Sequence, residues 1–374
     1  MADSSIEVVD TLEGVDPQAW DALAGGNPFV GHAFLHLLHR SGCASRKTGW
    51  LPQYLLLRRK GRLEGAMPLY LKGHSRGEYV FDHAWAEAFE RHGIEYYPKL
   101  LSAVPFTPVG GPRLLAAGHD DRVLLAQAAI ELARRAGVSS LHVLFPQPAD
   151  VEALREAGCM LREGVQFHWR DDGYASFDDF LASMSHDKRK KIRQDRRRVA
   201  EAGIAFRHLR GRQIEPAHID FFYRCYASTY ANHWSSPYLT QAFFHRLAAE
   251  LPDALLLILA ERHGEPVASA LNVAGDGVLY GRYWGSMEFV SGLHFETCYL
   301  QAIEYCIAHG IGCFEGGAQG EHKMSRGLLP TATWSAHWIA DGRFAQAIAD
   351  FLERETRGVD RYLDELESHT PFKR

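Results

Sequence analysis

With 374 residues, the chain exceeds one ordinary hydrophobic core and suits two domains. Apolar residues at 46% and charged residues at 23% exclude a disordered or fibrous chain. The formal net charge is −5, yet residues 188 to 198 oppose Lys188, Arg189, Lys190, Lys191, Arg193, Arg196, Arg197 and Arg198 with Asp195 alone, a local basic patch that favours a local anionic ligand over a chain-wide nucleic-acid surface.

The opening MADSSIEVVD lacks the basic start and apolar core of a signal peptide. The longest apolar run, ALLLILA at 254 to 260, is too short to span a membrane. Cysteines 43, 159, 225, 298, 306 and 313 form no CxxC pair, so free thiols, no metal site and a cytoplasmic location are expected.

From Tyr54, YLLLRRKGRLEGAMPLYL reads as two strands joined by a tight turn, with EYVFD after it as a third strand. A stretch rich in aromatics and proline, roughly 83 to 120, reads as an insertion that forms a wall or lid and supplies substrate contacts from Asp82, His83, Tyr97 and Arg113. AIELARRAGVSSL, 129 to 141, reads as a helix closed by Gly137 and followed by a strand.

The basic run itself is expected to be a helix, capped at Ser183 or Ser185 and ended by Gly203. Ile192 and Val199 share its one narrow apolar stripe. It reads either as a solvated face or as a cradle for phosphates, contributed by Lys188, Arg189, Lys191 and Arg193.

The second half repeats the first. LLLILAERHGEPVASALNV from Leu255, the turn GDG and VLYGRYW form three strands, and Gly264 aligns with Gly61. AIEYCIAHGIGCF, 302 to 314, matches AIELARRAGVSSL. Two matches in the same order indicate duplication of one α+β unit, with domains at 1–175 and 176–374, the second closed by a C-terminal helix.

Strict alternation along VLYGRYWGS puts Tyr280, Arg282 and Trp284 on one face and Gly281 and Tyr283 on the other. His294 and Glu296 fall in the first turn of the helix that follows, where a carboxylate suits the dipole and free amides accept an anion. The glycine-rich CFEGGAQGEHKMSRGLLP places Glu315, Gln319, Glu321, His322, Lys323 and Arg326 just after a strand end. Glycines allow close approach of backbone amides, His and Glu move protons, and Lys and Arg hold anions.

The segments ASFDDFLASMSHDKRKKIRQDRRRVAEAG, LYGRYWGSMEFVSGLHFETCYLQAIEYCIAHG and FEGGAQGEHKMSRGLLPTATWSAHWIAD resemble bacterial N-acyltransferases of the peptidoglycan biosynthesis/recognition type, in the FemAB-like branch of the GNAT superfamily. The similarity extends through GNPFVGHAFLHLL, EGAMPLYLKGHSRGEYVFDHAW and VQFHW. It implies an α+β fold of tandem GNAT-like domains and transfer of an acyl or aminoacyl group to a small-molecule or peptide amine. FemAB-like proteins use aminoacyl-tRNA on cell-wall precursors, whereas ordinary GNAT enzymes use acyl-CoA. The coiled-coil arm of some Fem ligases is absent from the sequence, and Met287 breaks the R-x-x-G-x-G/A loop begun by Arg282.

The resulting expectation is an N-acyltransferase with acyl-CoA as donor and direct attack by the amine. His322, Glu315 or His294 would be the base, Tyr283 or Tyr280 the acid for the leaving group, and Lys323 with Arg326 the anion holders. Arg282, Glu296, Gln319 and Glu321 complete the binding set. The rivals are an aminoacyl-tRNA-dependent transferase, whose basic helix grips tRNA, and a non-catalytic binding protein on the same fold.

Overall fold

The structure is a computed structural model that describes residues 4–232, 234–317 and 320–373. The chain forms two compact units, Met1–Gly164 with Ala332–Tyr362, and Val165–Thr331 with Leu363–Arg374. The sequence reading divides the chain once, at 175/176. In the structure the partition is discontinuous, because the segment after Thr331 is assigned to the first unit again.

In the first unit, Ser4–Val9, Tyr54–Arg59, Arg62–Met67 and Leu115–Ala116 form an antiparallel sheet. A second set of strands runs from Leu329–Ile339 through Ser140–Leu144, Lys99–Ser102 and Tyr70–Lys72 to Trp50–Pro52. The second unit orders Ile204–Arg210, Leu255–Arg262, Glu265–Gly275, Val278–Ser286, Cys313–Glu315 and the end of Met160–Arg170. Leu255–Arg262, flanked by a strand on each side, is fully buried from Leu255 to Ala260, which explains its unbroken apolar run; each such leucine contributes about 1.5–3 kcal/mol of burial.

The duplication is written into backbone detail. Each hairpin turns through a non-glycine residue followed by glycine, both with positive φ: Lys60 (49°) and Gly61 (77°), His263 (54°) and Gly264 (83°). This is the turn geometry that matches strand twist. Each first strand also carries an irregularity at the same distance from its glycine, between Leu57 and Arg58 and between Ala260 and Glu261. Downstream, His119–Ala136 and Gln301–His309 both stop at a glycine with φ 65°, Gly137 and Gly310. The strands that follow, Ser140–Leu144 and Cys313–Glu315, each run parallel to a neighbour.

EYVFD is not a strand. Glu78 and Asp82 turn inward onto Lys99 instead, and Tyr79 has a positive φ of 66°, which a strand cannot accommodate. The insertion is ordered, with helix His83–Arg91 and strands Lys99–Ser102 and Leu115–Ala116. The basic run is a helix, His186–Glu201, with Ser185 at its N-cap position but no capping hydrogen bond from the serine side chain, Ile192 and Val199 as its buried residues and Gly203 left-handed beyond it. All six cysteines are free thiols, and among the described residues no helix is long and apolar enough to cross a membrane.

Candidate functional site

In the second unit, Val278–Ser286 and Cys313–Glu315 pair in parallel only as far as Tyr280 and Glu315. Beyond that rung the strands separate. On its other edge Val278–Ser286 pairs Gly281 with Asn272 and Tyr283 with Leu271, so Arg282 is an extra, bulged residue. A bulge re-aims neighbouring side chains, and the strict alternation expected from the sequence fails here. Consecutive residues Gly281, Arg282, Tyr283 and Trp284 consequently line one cavity of about 110 Å³, with Gly316 from just past the other strand and His294, Cys298 and Tyr299 from the helix.

Local sequence explains the shape. The helix from Leu293 to His309 widens into a π-helical turn at Glu296–Leu300, a distortion that often marks functional sites. Gly316 has no side chain because a Cβ there would lie 2.6 Å from Leu328 and 3.3 Å from Tyr299. Gly285 admits the carbonyl of Cys225, which a Cβ would meet at 1.8 Å, and so brings helix Pro216–Ala231 down onto the strand.

The cavity floor is charged but paired. Arg282, with a side chain 2% exposed, donates from Nη2 to Glu315 Oε2 at 2.9 Å and from Nη1 to the Gly281 carbonyl at 3.1 Å. Beside Glu315 in the sheet is His168, whose Nε2 lies 3.1 Å from Gln166 Oε1. Burial first, then Arg282 and Arg170, depress His168 to about 3. Lys323 is buried and donates to the Gly317 carbonyl at 2.8 Å. Burial and then Arg282 lower it to about 8.

His294 combines access with a neutral ring. Its ring lies 5.2 Å from that of Trp284, tilted, and 5.6 Å from that of Tyr299, edge-on, and burial, then His322 and Lys323, lower it to about 4. His322 is exposed, lies 5.6 Å from the Phe295 ring, and is held below its usual value by partial burial, Lys323 and Arg326. Tyr283 is buried against Phe244 and Tyr226, and burial raises the Tyr280 phenol.

Ion pairs tie the basic helix to this site. Arg196 donates from Nε to Glu296 Oε1 at 3.0 Å and from Nη2 to Glu304 Oε2 at 2.6 Å. Glu296, 3% exposed, also accepts from Gln301 at 2.7 Å, so it is an anchor between helices rather than a solvent-facing dipole partner. Burial raises its carboxyl. Arg326 bonds Asp195 at 3.3 Å and lies 4.2 Å over the Phe295 ring. Lys188 is exposed, Arg189 reaches the Ala182 carbonyl at 3.4 Å, Lys191 pairs Asp195 at 2.8 Å, and Arg193 pairs Asp178 at 3.2 Å on the surface.

The structure thus brings Tyr280, Arg282, Tyr283, His294, Glu296, Glu315, His322, Lys323, Arg326 and the basic helix into one unit. Glu321 is exposed there, and Gln319 lies outside the described residues. Asp82, His83, Tyr97 and Arg113 belong to the first unit. Asp82 is buried on Lys99 and accepts from Tyr96 at 2.6 Å; His83 stacks on Phe81; Tyr97 contacts Ser75 at 2.8 Å; Arg113 is buried and donates to the Leu144 carbonyl at 2.9 Å. Gln166, His168, Cys298 and Tyr299 are neighbours that sequence reasoning missed. Gln166 and His168 alternate with Phe167 and Trp169, a visible period of two, but all four are buried, so polarity did not reveal which face mattered.

The family model for FemAB-like peptidoglycan biosynthesis/recognition proteins matches residues 11–374. The chain belongs to the FemAB-like family. Among solved structures, this FemAB-like protein is similar to the C-terminal domain of a lysylphosphatidylglycerol synthetase candidate from Agrobacterium fabrum, at TM-score 0.58 and 12% identity, over 92% of this chain and 96% of that one. FemX aligns at TM-score 0.56 and 13% identity, covering 90% of this chain and 98% of its own. L-PGS from Bacillus licheniformis aligns at 0.54 and 11%, covering 92% and 97%. Comparison with curated proteins yields no match. The likenesses to these solved structures extend over nearly the whole chain and show its fold, an α+β chain of two compact units.

Proposed function

We propose that this FemAB-like protein transfers an acyl or aminoacyl group from an activated, phosphate-bearing donor to an amine. The observation that carries the reading is the cavity at the parting of Val278–Ser286 and Cys313–Glu315, with neutral His294 on its wall. Crevices where parallel strands separate collect ligands because backbone groups there are left without strand partners.

In direct transfer the amine nitrogen attacks the donor carbonyl, the C–S or C–O bond to the leaving group breaks, and the amine proton must leave. His294 is the base best placed, because its ring lines the cavity and burial keeps it neutral. Glu315 is less suited than the sequence implies, since its carboxylate is engaged by Arg282. Tyr283, also on the wall, is the acid for the leaving group. Lys323, buried and cationic below about pH 8, supports negative charge developing nearby.

Acyl-CoA and aminoacyl-tRNA both fit a phosphate-bearing donor. The exposed cations of His186–Glu201 favour the second, because a long polyanion engages several at once. Native mass spectrometry of freshly purified protein identifies which co-purifies, and tRNA binding should weaken steeply with salt while CoA binding weakens little. With the donor in hand, His294→Gln should lower kcat by about 10²–10⁴ with donor affinity retained; an unchanged rate would overturn the assignment.

A further inference from the structure

We propose that the end of the second unit where Val278–Ser286 runs out is a docking surface for an anionic lipid bilayer. Trp234 and Phe289 are the two most exposed large apolar side chains among the described residues, at 99% and 95%, and Met287 is 52% exposed.

Hydrogen bonds place all three at one end of the strand. Thr229 Oγ1 donates to the Trp284 carbonyl at 2.9 Å and Ser228 Oγ to the Ser286 carbonyl at 3.4 Å. Helix Pro216–Ala231 therefore finishes there, with Trp234 just beyond it. The Met287 amide donates to the Val267 carbonyl at 2.8 Å, and Phe289 follows on the same loop. That loop has a firm base: Val290 packs on the cluster of Val199, Ala260 and Leu293, and Gly292 lies against Val199 and the Asp195 carbonyl of the basic helix. Its carboxylate, Glu288, is paired with Arg262. Arg197 and Arg198, on the same turn of the basic helix, are exposed, Arg198 lying 3.7 Å from Asp195.

Side chains this exposed gain by leaving water. Tryptophan and phenylalanine settle at the headgroup boundary while arginines meet anionic headgroups, and the two attractions add. Single-stranded nucleic acid asks instead for successive aromatic platforms along one groove, whereas these side chains stand on two segments, Trp234 on one and Met287 with Phe289 on the other, and include a thioether. A bilayer is the partner that accepts all of them together.

The test is co-sedimentation of the full chain with vesicles of phosphatidylcholine alone and of phosphatidylcholine with phosphatidylserine. Binding is expected only to the anionic vesicles, and the combined variant Trp234→Ser, Met287→Ser, Phe289→Ser should bind about tenfold or more weakly. Arg197→Glu with Arg198→Glu should also release the protein. None of the three apolar side chains is buried, so unchanged thermal unfolding of the variant separates lost docking from lost fold. No binding by the wild type at low salt, or equal binding by the variant, overturns the proposal. So does loss of tRNA retention, or of self-association, in its place. The proposed transfer reaction is judged separately, by vesicle-free assay with a water-soluble amine, in which the combined variant should match the wild type.

Discussion

His142 of the first unit and Glu315 of the second occupy the same step of the repeat, each five residues past the glycine that ends its helix. Their surroundings differ. His142 closes a buried row: its Nδ1 is 2.7 Å from His337 Nδ1, its Nε2 is 2.8 Å from Ser140 and 3.0 Å from Tyr96, and Tyr96 leads to Asp82, Lys99 and Glu78. Glu315 instead adjoins a gap between strands, and the arginine that holds it also lines the cavity. The comparison teaches that one position in a duplicated unit can close a buried row in one copy and adjoin the edge of a cavity in the other. What separates the two uses is whether the neighbouring strand stays in register or bulges away.

The largest effect that would break this contrast comes from Lys99→Met. It leaves Glu78 and Asp82 buried without the ammonium that pairs both, and should cost about 3–5 kcal/mol in urea unfolding. Transfer per folded molecule should be unchanged; if the rate falls while the fold survives, the first unit is more than a scaffold.

A smaller effect sharpens the contrast through pH. Burial depresses His142 to about 3 and His294 to about 4, below the unfolded value of about 6.5. The unfolded chain therefore binds more protons as pH falls below about 6.5. The stability present above that pH is lost progressively toward about 4, on the order of 3 kcal/mol per histidine. Unfolding measured across this window should show a shallower slope in His142→Gln and in His294→Gln, but only the second should also lose transfer. A slope unaltered by both substitutions would mean that neither ring is buried neutral.

The smallest effect belongs to the basic helix. Lys191→Ala removes an exposed pair with Asp195 one turn away and should cost about 0.3–0.5 kcal/mol by thermal unfolding. Arg196, which reaches the buried Glu296, should matter more than its neighbour.

Much of the fold was legible. The two K-G and H-G turns, the paired helices stopped at Gly137 and Gly310, and the stripe of Ile192 and Val199 all follow from local rules, because turns, caps and amphipathic periods are set by residues adjacent in the chain. The region around the cavity was legible too: His294, Arg282 and the glycine-rich stretch stood out by composition. What sequence could not supply was which groups meet. The bulge at Arg282 shifts a period of two by one residue, and no local signal distinguishes it from a regular strand.

EYVFD shows the same limit from the other side. Its alternation fits a strand, yet Glu78 and Asp82 meet Lys99, some twenty residues away, and a buried ammonium outweighs a weak strand preference. Taken alone, the sequence determined that this chain is a duplicated α+β protein with an isolated basic helix, since repeats and charge are properties of order and composition. Only the tertiary structure decided that Glu315 is held by Arg282, that Glu296 anchors the basic helix, and that His294 faces a cavity. Each of those depends on burial and on contacts across distant segments, which the linear order does not contain.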